Sequence, residues 1–189
     1  MPPPNNNFVN EAKFKTVSKL VMKGNVIIDS HDGDGKLNAT FDFEMPDTLK
    51  IQFRDVLGRK QALMSFHDEN FLLWLQRENK RYNRDEIPDS FSLFVFDELS
   101  LANIRRLFLG LPVNDDNIKT ELNESGLTQR VEIIDDNNEL SSIFIYSDYQ
   151  LKDEIYLPGN IQIIDLNKGI ELKIKLYHFS VEYFNLSDL

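Results

Sequence analysis

Side chains able to carry catalysis or bind a metal are few and scattered in this sequence. The three histidines, His31, His67 and His178, are far apart, and no two stand at the spacing of paired metal ligands. The sequence has no cysteine, which excludes disulfides, thiolate nucleophiles and thiolate metal sites. It also has no glycine-rich phosphate loop and no G-x-S-x-G nucleophile motif. We therefore expect no enzymatic activity, no catalytic residue, no metal site and no cofactor.

One segment, DSHDGDG at residues 29–35, superficially resembles a calcium-binding loop. Its alignment with such a loop places Ser30, Asp32 and Asp34 at early ligand positions. The bidentate glutamate that closes the loop would then be residue 41, which is Phe41. Because that ligand is missing, an Asp-Gly hairpin turn is the better interpretation.

The composition is that of one globular domain of 189 residues, with 41% hydrophobic residues and a mean hydropathy of −0.37. The net charge of −10 argues against a nucleic-acid partner, because phosphate binding needs a positive surface. No apolar run approaches the roughly 18 residues of a membrane-spanning helix. We expect residues 1–7, MPPPNNN, to be a linker or tether, and residues 8–189 to form a single domain.

Most of the chain shows the alternation of apolar and polar residues that is typical of strands with one buried face. The clearest case is residues 36–45, where Leu37, Ala39, Phe41, Phe43 and Met45 face one way. Further strands, separated by Asp, Asn and Gly turns, are predicted around residues 19–29, 48–54, 62–66, 71–77, 116–123, 127–135, 139–148, 160–167 and 169–184. No long parallel crossover and no repeat is evident.

One helix is clearly indicated, from Asp97 to Leu109. Ser100 is a plausible N-cap, and Gly110 and Pro112 end the helix. Its apolar stripe consists of Leu101, Ile104, Leu107 and Phe108, which would leave Arg105 and Arg106 pointing outward. A shorter helix is predicted from Phe8 to Val17 with Asn7 as its cap, and residues 91–96, FSLFVF, could be a strand or a buried loop.

These elements predict a mainly β fold with a few helices: a single antiparallel sheet that curls around its own apolar face. The sequence carries 14 Phe and six Tyr, which the few helices cannot easily cover. Two interpretations stay open: an aromatic core closed by the 97–109 helix, and a cavity for apolar chains with that helix as its lid. The candidate cavity walls are Leu37, Phe41, Phe43, Leu49, Ile51, Phe53, Met64 and Trp74; the lid residues are Leu101, Ile104, Leu107 and Phe108.

The hairpin at residues 48–66 has an unusual tip. Its turn contains Val56 and Leu57, where only Gly58 is needed for a register-preserving turn. The segment 50–60 contains four basic residues and only one acidic residue, in an otherwise acidic protein. A solvated basic strand with a packed corner would account for the pattern. An apolar tip rimmed by long basic side chains also suits a membrane interface.

The order of four segments resembles the LolB family, the outer-membrane lipoprotein receptors of Gram-negative bacteria. The segments are LVMKGNVII near the start, LKIQFRDVLGRKQALMSF in the middle, NIRRLFLGLP at residues 103–112, and LPGNIQIID…GIELKIKLYHF near the end. The family's central loop reads Asn-Pro-Leu-Gly, and here the corresponding residues are Asp55-Val56-Leu57-Gly58. The resemblance covers residues 15–184.

This resemblance implies a half-open antiparallel β-barrel with helices over its mouth. The hydrophobic cavity would receive the acyl chains of lipoproteins from a soluble periplasmic chaperone of similar, LolA-like fold. A protruding apolar loop, here Val56, Leu57 and Gly58, would then aid insertion into the outer-membrane bilayer, with Leu57 as the key leucine. The expected partners are thus acylated lipoproteins, the chaperone and the bilayer, and we expect a monomer at the periplasmic face of the outer membrane.

The sequence departs from the family's pattern at two points. Val56 replaces the loop proline, and the acylated N-terminal cysteine has no counterpart. The second departure suits either a chain trimmed behind its anchor or an unanchored relative closer to the chaperone. A structural or interaction protein with a filled core is the other open alternative, and an enzyme acting on lipids or glycans is a more remote one.

Overall fold

The computed structural model describes residues 6–29, 35–96 and 99–185. The DSHDGDG turn therefore lies largely outside the described residues, as do the first five residues of the predicted linker. Three α-helices are present in this part of the chain: α1 (Asn6–Phe14), α2 (Asp89–Ser92) and α3 (Leu101–Phe108), with a 3₁₀ helix at Arg84–Glu86. The strands are β1 (Val17–Asp29), β2 (Gly35–Glu44), β3 (Thr48–Arg54), β4 (Lys60–His67), β5 (Asn70–Leu75), β6 (Lys80–Tyr82), β7 (Ile118–Leu122), β8 (Thr128–Ile134), β9 (Leu140–Ser147), β10 (Gln150–Lys152), β11 (Ile155–Leu157), β12 (Asn160–Asp165) and β13 (Ile170–Tyr183).

Eleven of these strands form one antiparallel sheet in the order β6-β5-β4-β3-β2-β1-β13-β12-β9-β8-β7. The first six strands are a meander of hairpins, and the last strand, β13, returns to pair with β1 in the middle of the sheet. β6 and β7 are the two edges, so the sheet does not close into a barrel. β10 and β11 make a separate two-stranded hairpin. The predicted fold class, mainly β with one large antiparallel sheet, is confirmed.

The sheet is curled, because one stretch of chain packs against strands from both of its halves. The Phe108 ring lies 5.5 Å from Phe41 of β2, and the Phe96 ring lies 5.1 Å from Phe144 of β9. The Tyr146 hydroxyl, also on β9, donates to the Leu107 carbonyl at 2.9 Å. The concave face of the sheet thus surrounds α3 and the residues that precede it.

α3 begins and ends close to the predicted positions. The Ser100 side chain accepts a hydrogen bond from the backbone N–H of Asn103 at 3.1 Å, as a helix cap does. Gly110 has a φ of +65°, the left-handed conformation that glycine adopts most readily at a helix end. The helix spans Leu101–Phe108 rather than the predicted Asp97–Leu109, and Asp97 and Glu98 lie outside the described residues.

α1 lies across the end of the sheet and is tied to the β10–β11 hairpin. Asn10 is buried, and its side-chain amide exchanges two hydrogen bonds with the backbone of Tyr156, at 2.7 and 3.0 Å. Asn7, predicted as a cap, and Asn6 are part of the helix, so the helix begins two residues before its predicted start at Phe8. None of the described helices is long and apolar enough to cross a bilayer.

Candidate functional site

The predicted cavity walls face the concave side of the sheet, with one exception. Leu37 is partly buried there. The side chains of the others are completely buried in the core: Phe41, Phe43, Leu49, Ile51, Phe53 and Met64. Strand alternation was therefore a reliable guide to the face that these residues occupy.

Trp74 is the exception, and its placement in the wall was wrong. Trp74 pairs with Leu63 across the β4–β5 ladder, whereas the inward-facing Met64 pairs with Leu73. Because directly opposed residues of a ladder share a face, Trp74 lies on the outer face. Its ring is covered by the Arg81 guanidinium, 5.6 Å from the ring centre, and its indole N–H donates to the Asn79 side chain at 3.3 Å.

The space in front of these walls is occupied by residues 91–96, which are neither a strand nor a simple loop. α2 ends at Ser92, and the four residues that follow it are buried. The Phe94 ring packs edge-on against Phe53 at 5.0 Å and is stacked near Phe108 at 6.0 Å. We call residues 91–96 the plug, because they fill the concave face that the sequence assigned to acyl chains.

The plug is fixed by backbone contacts as well as by its rings. The Arg84 guanidinium donates to the carbonyls of Phe96 and Leu99, the latter at 2.5 Å. All four predicted lid residues, Leu101, Ile104, Leu107 and Phe108, are fully buried in the core beneath α3. Their inward placement agrees with the predicted stripe, and a role as a movable lid stays a prediction.

An open groove of about 830 Å³ lies at the end of the sheet where α1 and α3 meet the strands. We call it the mouth groove. Its apolar side chains include Phe14, Val17, Met45, Leu109 and Leu111. Phe43 is the one predicted wall residue that also lines it. The groove therefore lies next to the predicted cavity, at its mouth.

Two arginines of α3 give the mouth groove a polar side. Arg106 forms an ion pair with Glu11 of α1 and donates to the Pro112 carbonyl at 2.6 and 2.9 Å. Arg105 is only 9% exposed, which contradicts the predicted outward orientation. Burial lowers the pKa of the Arg105 guanidinium, and the nearby carboxylates of Asp47, Glu69 and Asp68 oppose that shift.

The hairpin tip is exposed and apolar, as the sequence suggested. Val56 is 70% exposed and Leu57 is 75% exposed, so neither packs into a corner. Gly58 has a φ of +80°, which closes the turn. The open choice between a packed corner and an exposed tip is decided in favour of the exposed tip.

Asp55 holds the tip in shape. Its carboxylate accepts hydrogen bonds from the backbone N–H groups of Leu57, at 3.0 Å, and Arg59, at 2.9 Å, and from the Arg59 side chain at 2.6 Å. Desolvation opposes ionisation, but the bonds and the charge of Arg59 outweigh it, so the pKa of Asp55 is lowered. The turn therefore keeps this network at neutral pH and loses it as the pH falls through that lowered pKa.

One group of possible metal ligands occurs among the described residues: Asp47, His67 and Asp68. His67 presents Nδ1 to Asp47 at 3.8 Å and Nε2 to Asp68 at 3.7 Å, while Thr48 Oγ1 lies 2.8 Å from Nδ1. One ligand atom from each of the three residues lies within 4.8 Å of the other two, a spacing that exposed acidic groups commonly show without an ion. The group is mostly exposed and carries no further sign of a metal site.

The mouth groove was missed from the sequence, although two of its elements were predicted. Its residues come from α1, the ends of β1 and β2, α3 and the end of the chain at Phe184. Only the tertiary structure brings these segments together. The one local signal was the pair of adjacent arginines on the helix that carries the apolar stripe. Two positive charges next to that stripe indicate a polar side of a groove.

Comparisons with solved structures identify the class of fold. The chain aligns with a protein domain assigned to outer membrane lipoprotein sorting, from Vibrio parahaemolyticus, with a TM-score of 0.63 and 10% identity over 97% of this chain and 95% of that one. It aligns with a DUF1329 family protein from Desulfovibrio piger with a TM-score of 0.61 and 13% identity, over 100% and 99% of the two chains.

A LolA superfamily protein from Nitrosomonas europaea is similar at a TM-score of 0.58 and 8% identity, over 96% of this chain and 95% of that one. No family model matches the sequence, and no match was found among curated proteins. The chain therefore has the fold of LolA superfamily structures over almost its whole length.

Proposed function

We propose that this protein is a non-catalytic receptor that binds the acyl chains of lipoproteins and helps to insert them into a membrane. The observation that carries the proposal is the open mouth groove of about 830 Å³, which has one apolar and one polar side and lies at the end of a LolA-like sheet. Its volume falls within the range of about 300–1,000 Å³ that is usual for ligand sites.

Binding and transfer of acyl chains require an apolar groove but no reactive group. Burial is worth about 0.8 kcal/mol per CH₂, so one long acyl chain corresponds to on the order of 10 kcal/mol of free energy. An acylated protein therefore cannot cross water quickly unless its chains stay covered. Transfer from a carrier to a receptor requires only a difference in affinity between them, since no covalent bond is broken.

The finer assignment rests on the sequence resemblance to the LolB family. In that assignment the acyl chains arrive from a LolA-like periplasmic chaperone, and Leu57 enters the outer membrane as the chains are released. The exposed Val56–Leu57 tip is what a membrane-entering loop requires. An unanchored, chaperone-like role at the same groove is the related alternative.

A filled-core interaction protein is the second candidate function, and the plug is the observation that favours it. Phe94 and its neighbours occupy the concave face, so acyl chains can reach that space only if the plug moves. In the receptor proposal, acyl chains enter at the mouth groove, and the plug is displaced when a chain extends further into the concave face.

The substitution Ala102→Trp tests whether acyl chains bind in the mouth groove. Ala102 is an exposed residue of α3 that lines the groove, so an indole there would fill part of its volume. We expect affinity for a fluorescent fatty acid, measured by titration, to fall about tenfold or more, corresponding to the loss of about two buried CH₂ groups.

Ala12→Trp is the matched control. Ala12 is an exposed helical residue of α1 and is not among the groove-lining residues, so this variant should bind the probe as the unaltered chain does. If both variants bind the probe as tightly as the unaltered chain does, the binding site lies outside the mouth groove. Absence of saturable probe binding by the unaltered chain would favour the filled-core alternative.

A further inference from the structure

A second hairpin turn lies beside the exposed tip at the same end of the sheet. The tip joins β3 to β4, and residues 76–79 join β5 to β6. Ala62 pairs with Leu75, so the chain enters the second turn directly alongside the point where it leaves the first. The two turns, which β4 and β5 separate in the sequence, therefore form one continuous surface.

Three glutamines brace the turns against each other through two side-chain bonds and one backbone bond. The Gln61 side chain donates to the Asp55 carboxylate at 3.1 Å, and the Gln61 carbonyl accepts from the Gln76 N–H at 2.9 Å. The Gln52 side chain donates to the Gln76 side chain at 2.9 Å. These bonds couple the orientation of the second turn to that of the tip.

The combined surface is basic in an acidic protein. Residues 54–60 and 77–81 contain six basic and two acidic side chains, whereas the whole chain has a net charge of −10. Both acidic groups are paired locally, Asp55 with Arg59 and Glu78 with Lys80. We call these two segments the basic corner. The β8–β9 turn at the same end of the sheet carries Asp135, Asp136 and Glu139, so that part of the end is acidic.

The only tryptophan of the protein lies beside the basic corner, since Trp74 pairs with Arg81 across the β5–β6 ladder. Trp74 is half-buried on the outer face, and Arg81 lies over its ring. Tryptophan has an apolar body and a polar N–H, a combination that favours the interface between headgroups and acyl chains. Exposed Leu57, a rim of long basic side chains and an interfacial aromatic ring are thus present on one braced surface.

We propose that the basic corner docks this protein on bilayers that carry anionic headgroups. The second turn, through Arg77, Lys80 and Arg81, supplies attraction and orientation, and Leu57 supplies apolar insertion. This inference rests on the proposed function, because it names the lipid class that the delivery tip approaches. Each basic side chain near an anionic membrane contributes a separate attraction that salt screens.

The test uses the intact protein and vesicles of two compositions: phosphatidylcholine alone, and an equimolar mixture of phosphatidylcholine and phosphatidylglycerol. The triple variant R77Q/K80Q/R81Q removes the charge of the second turn and keeps Leu57. We expect its affinity for the anionic vesicles to fall about tenfold or more, with little change on phosphatidylcholine. The control K23Q/K119Q/K175Q removes the same charge from exposed positions on β1, β7 and β13 and should bind as the unaltered chain does.

Two further readouts do not depend on any variant. Binding of the unaltered chain to anionic vesicles should weaken as salt is raised, and the emission of Trp74 should shift to shorter wavelength on binding. Equal affinity of the unaltered chain for the two vesicle types, or equal affinity of the two triple variants for anionic vesicles, would overturn the proposal. So would binding without any change in Trp74 emission.

Failure of this inference is distinguishable from failure of the proposed function. If R77Q/K80Q/R81Q binds anionic vesicles normally while the fluorescent fatty acid still binds the groove, the inference is lost and the receptor proposal stands. If the fatty acid does not bind but charge-dependent vesicle docking persists, the receptor proposal is lost and the docking surface stands.

Discussion

Leu57 is the single residue whose environment bears most directly on the delivery step. Its side chain is exposed, while the backbone around it is held by the Asp55 carboxylate. The leucine side chain is therefore accessible to a membrane, while the turn keeps a defined backbone conformation. A rigid apolar tip enters a bilayer at less entropic cost than a loop that must first become ordered.

Replacing Leu57 with Glu should leave acyl-chain binding intact and impair delivery of an acylated peptide to vesicles. The reason is that Leu57 lies outside the mouth groove, and a carboxylate at the tip opposes entry into the hydrocarbon region. The measurement is the rate at which a peptide bound to the protein appears in sedimented vesicles. We expect that rate to fall about tenfold or more, as a change from an apolar to a charged residue at a bilayer interface costs more than about 1.4 kcal/mol.

Leu151→Glu is a matched control, because Leu151 is an exposed leucine of the β10–β11 hairpin, away from the tip. It should deliver the peptide at the unaltered rate. Equal loss of binding and delivery in L57E would show that Leu57 supports the structure of the hairpin instead.

Single residues were predictable from the sequence where local alternation decides their orientation. Phe41, Phe43 and Phe53 obey the two-residue period and face the core. Trp74 was misplaced because its strand is apolar on both faces, so hydrophobicity alone could not set the register. Arg105 was misplaced because an arginine can bury its stem and remain cationic, which no helical pattern reveals.

Among the elements, the plug determines whether the concave face can accept a ligand. It is packed by aromatic contacts of Phe94 with Phe53 and Phe108 and is tied to Arg84 through backbone carbonyls. A core of this kind is close-packed, so a chain can enter only if aromatic side chains move.

Phe94→Ala should destabilise the protein and, at the same time, raise its affinity for an apolar probe. Truncation of a buried phenylalanine costs about 3–5 kcal/mol of unfolding free energy and leaves a cavity that apolar molecules can occupy. The measurements are denaturant unfolding and titration with the fluorescent fatty acid.

Phe66→Ala is the control, because Phe66 is equally buried but packs on Phe71 within the sheet rather than on the plug. It should lose similar stability without a gain in probe affinity. A gain in both variants, or in neither, would contradict the idea that the plug occupies a ligand space.

The strands and α3 could be predicted because each is encoded by a local pattern. The β10–β11 hairpin was missed, since its turn uses Asp153 and Glu154 at positive φ rather than the usual glycine. The mouth groove could not be predicted because α1, α3 and the ends of β1 and β2 are distant in sequence. Residues 91–96 were ambiguous because four consecutive residues of the segment, 93–96, are buried, which leaves no polar face to establish a period.

At the scale of the whole molecule, one curled sheet separates the two proposed sites in space. The basic corner lies at the end of the sheet where β3 and β5 end and β4 begins. The mouth groove lies near the opposite end, where β1 begins and β2 ends. A single rigid sheet thus connects a surface suited to a membrane with a groove suited to acyl chains.

The most direct test of the receptor proposal is equilibrium binding of a diacylated peptide and of the same peptide without its acyl chains. The account predicts saturable binding of the acylated peptide, competition by the fluorescent fatty acid, and no measurable binding of the unacylated one. Equal binding of both peptides, or of neither, would contradict the account and favour a protein-interaction domain with a filled core.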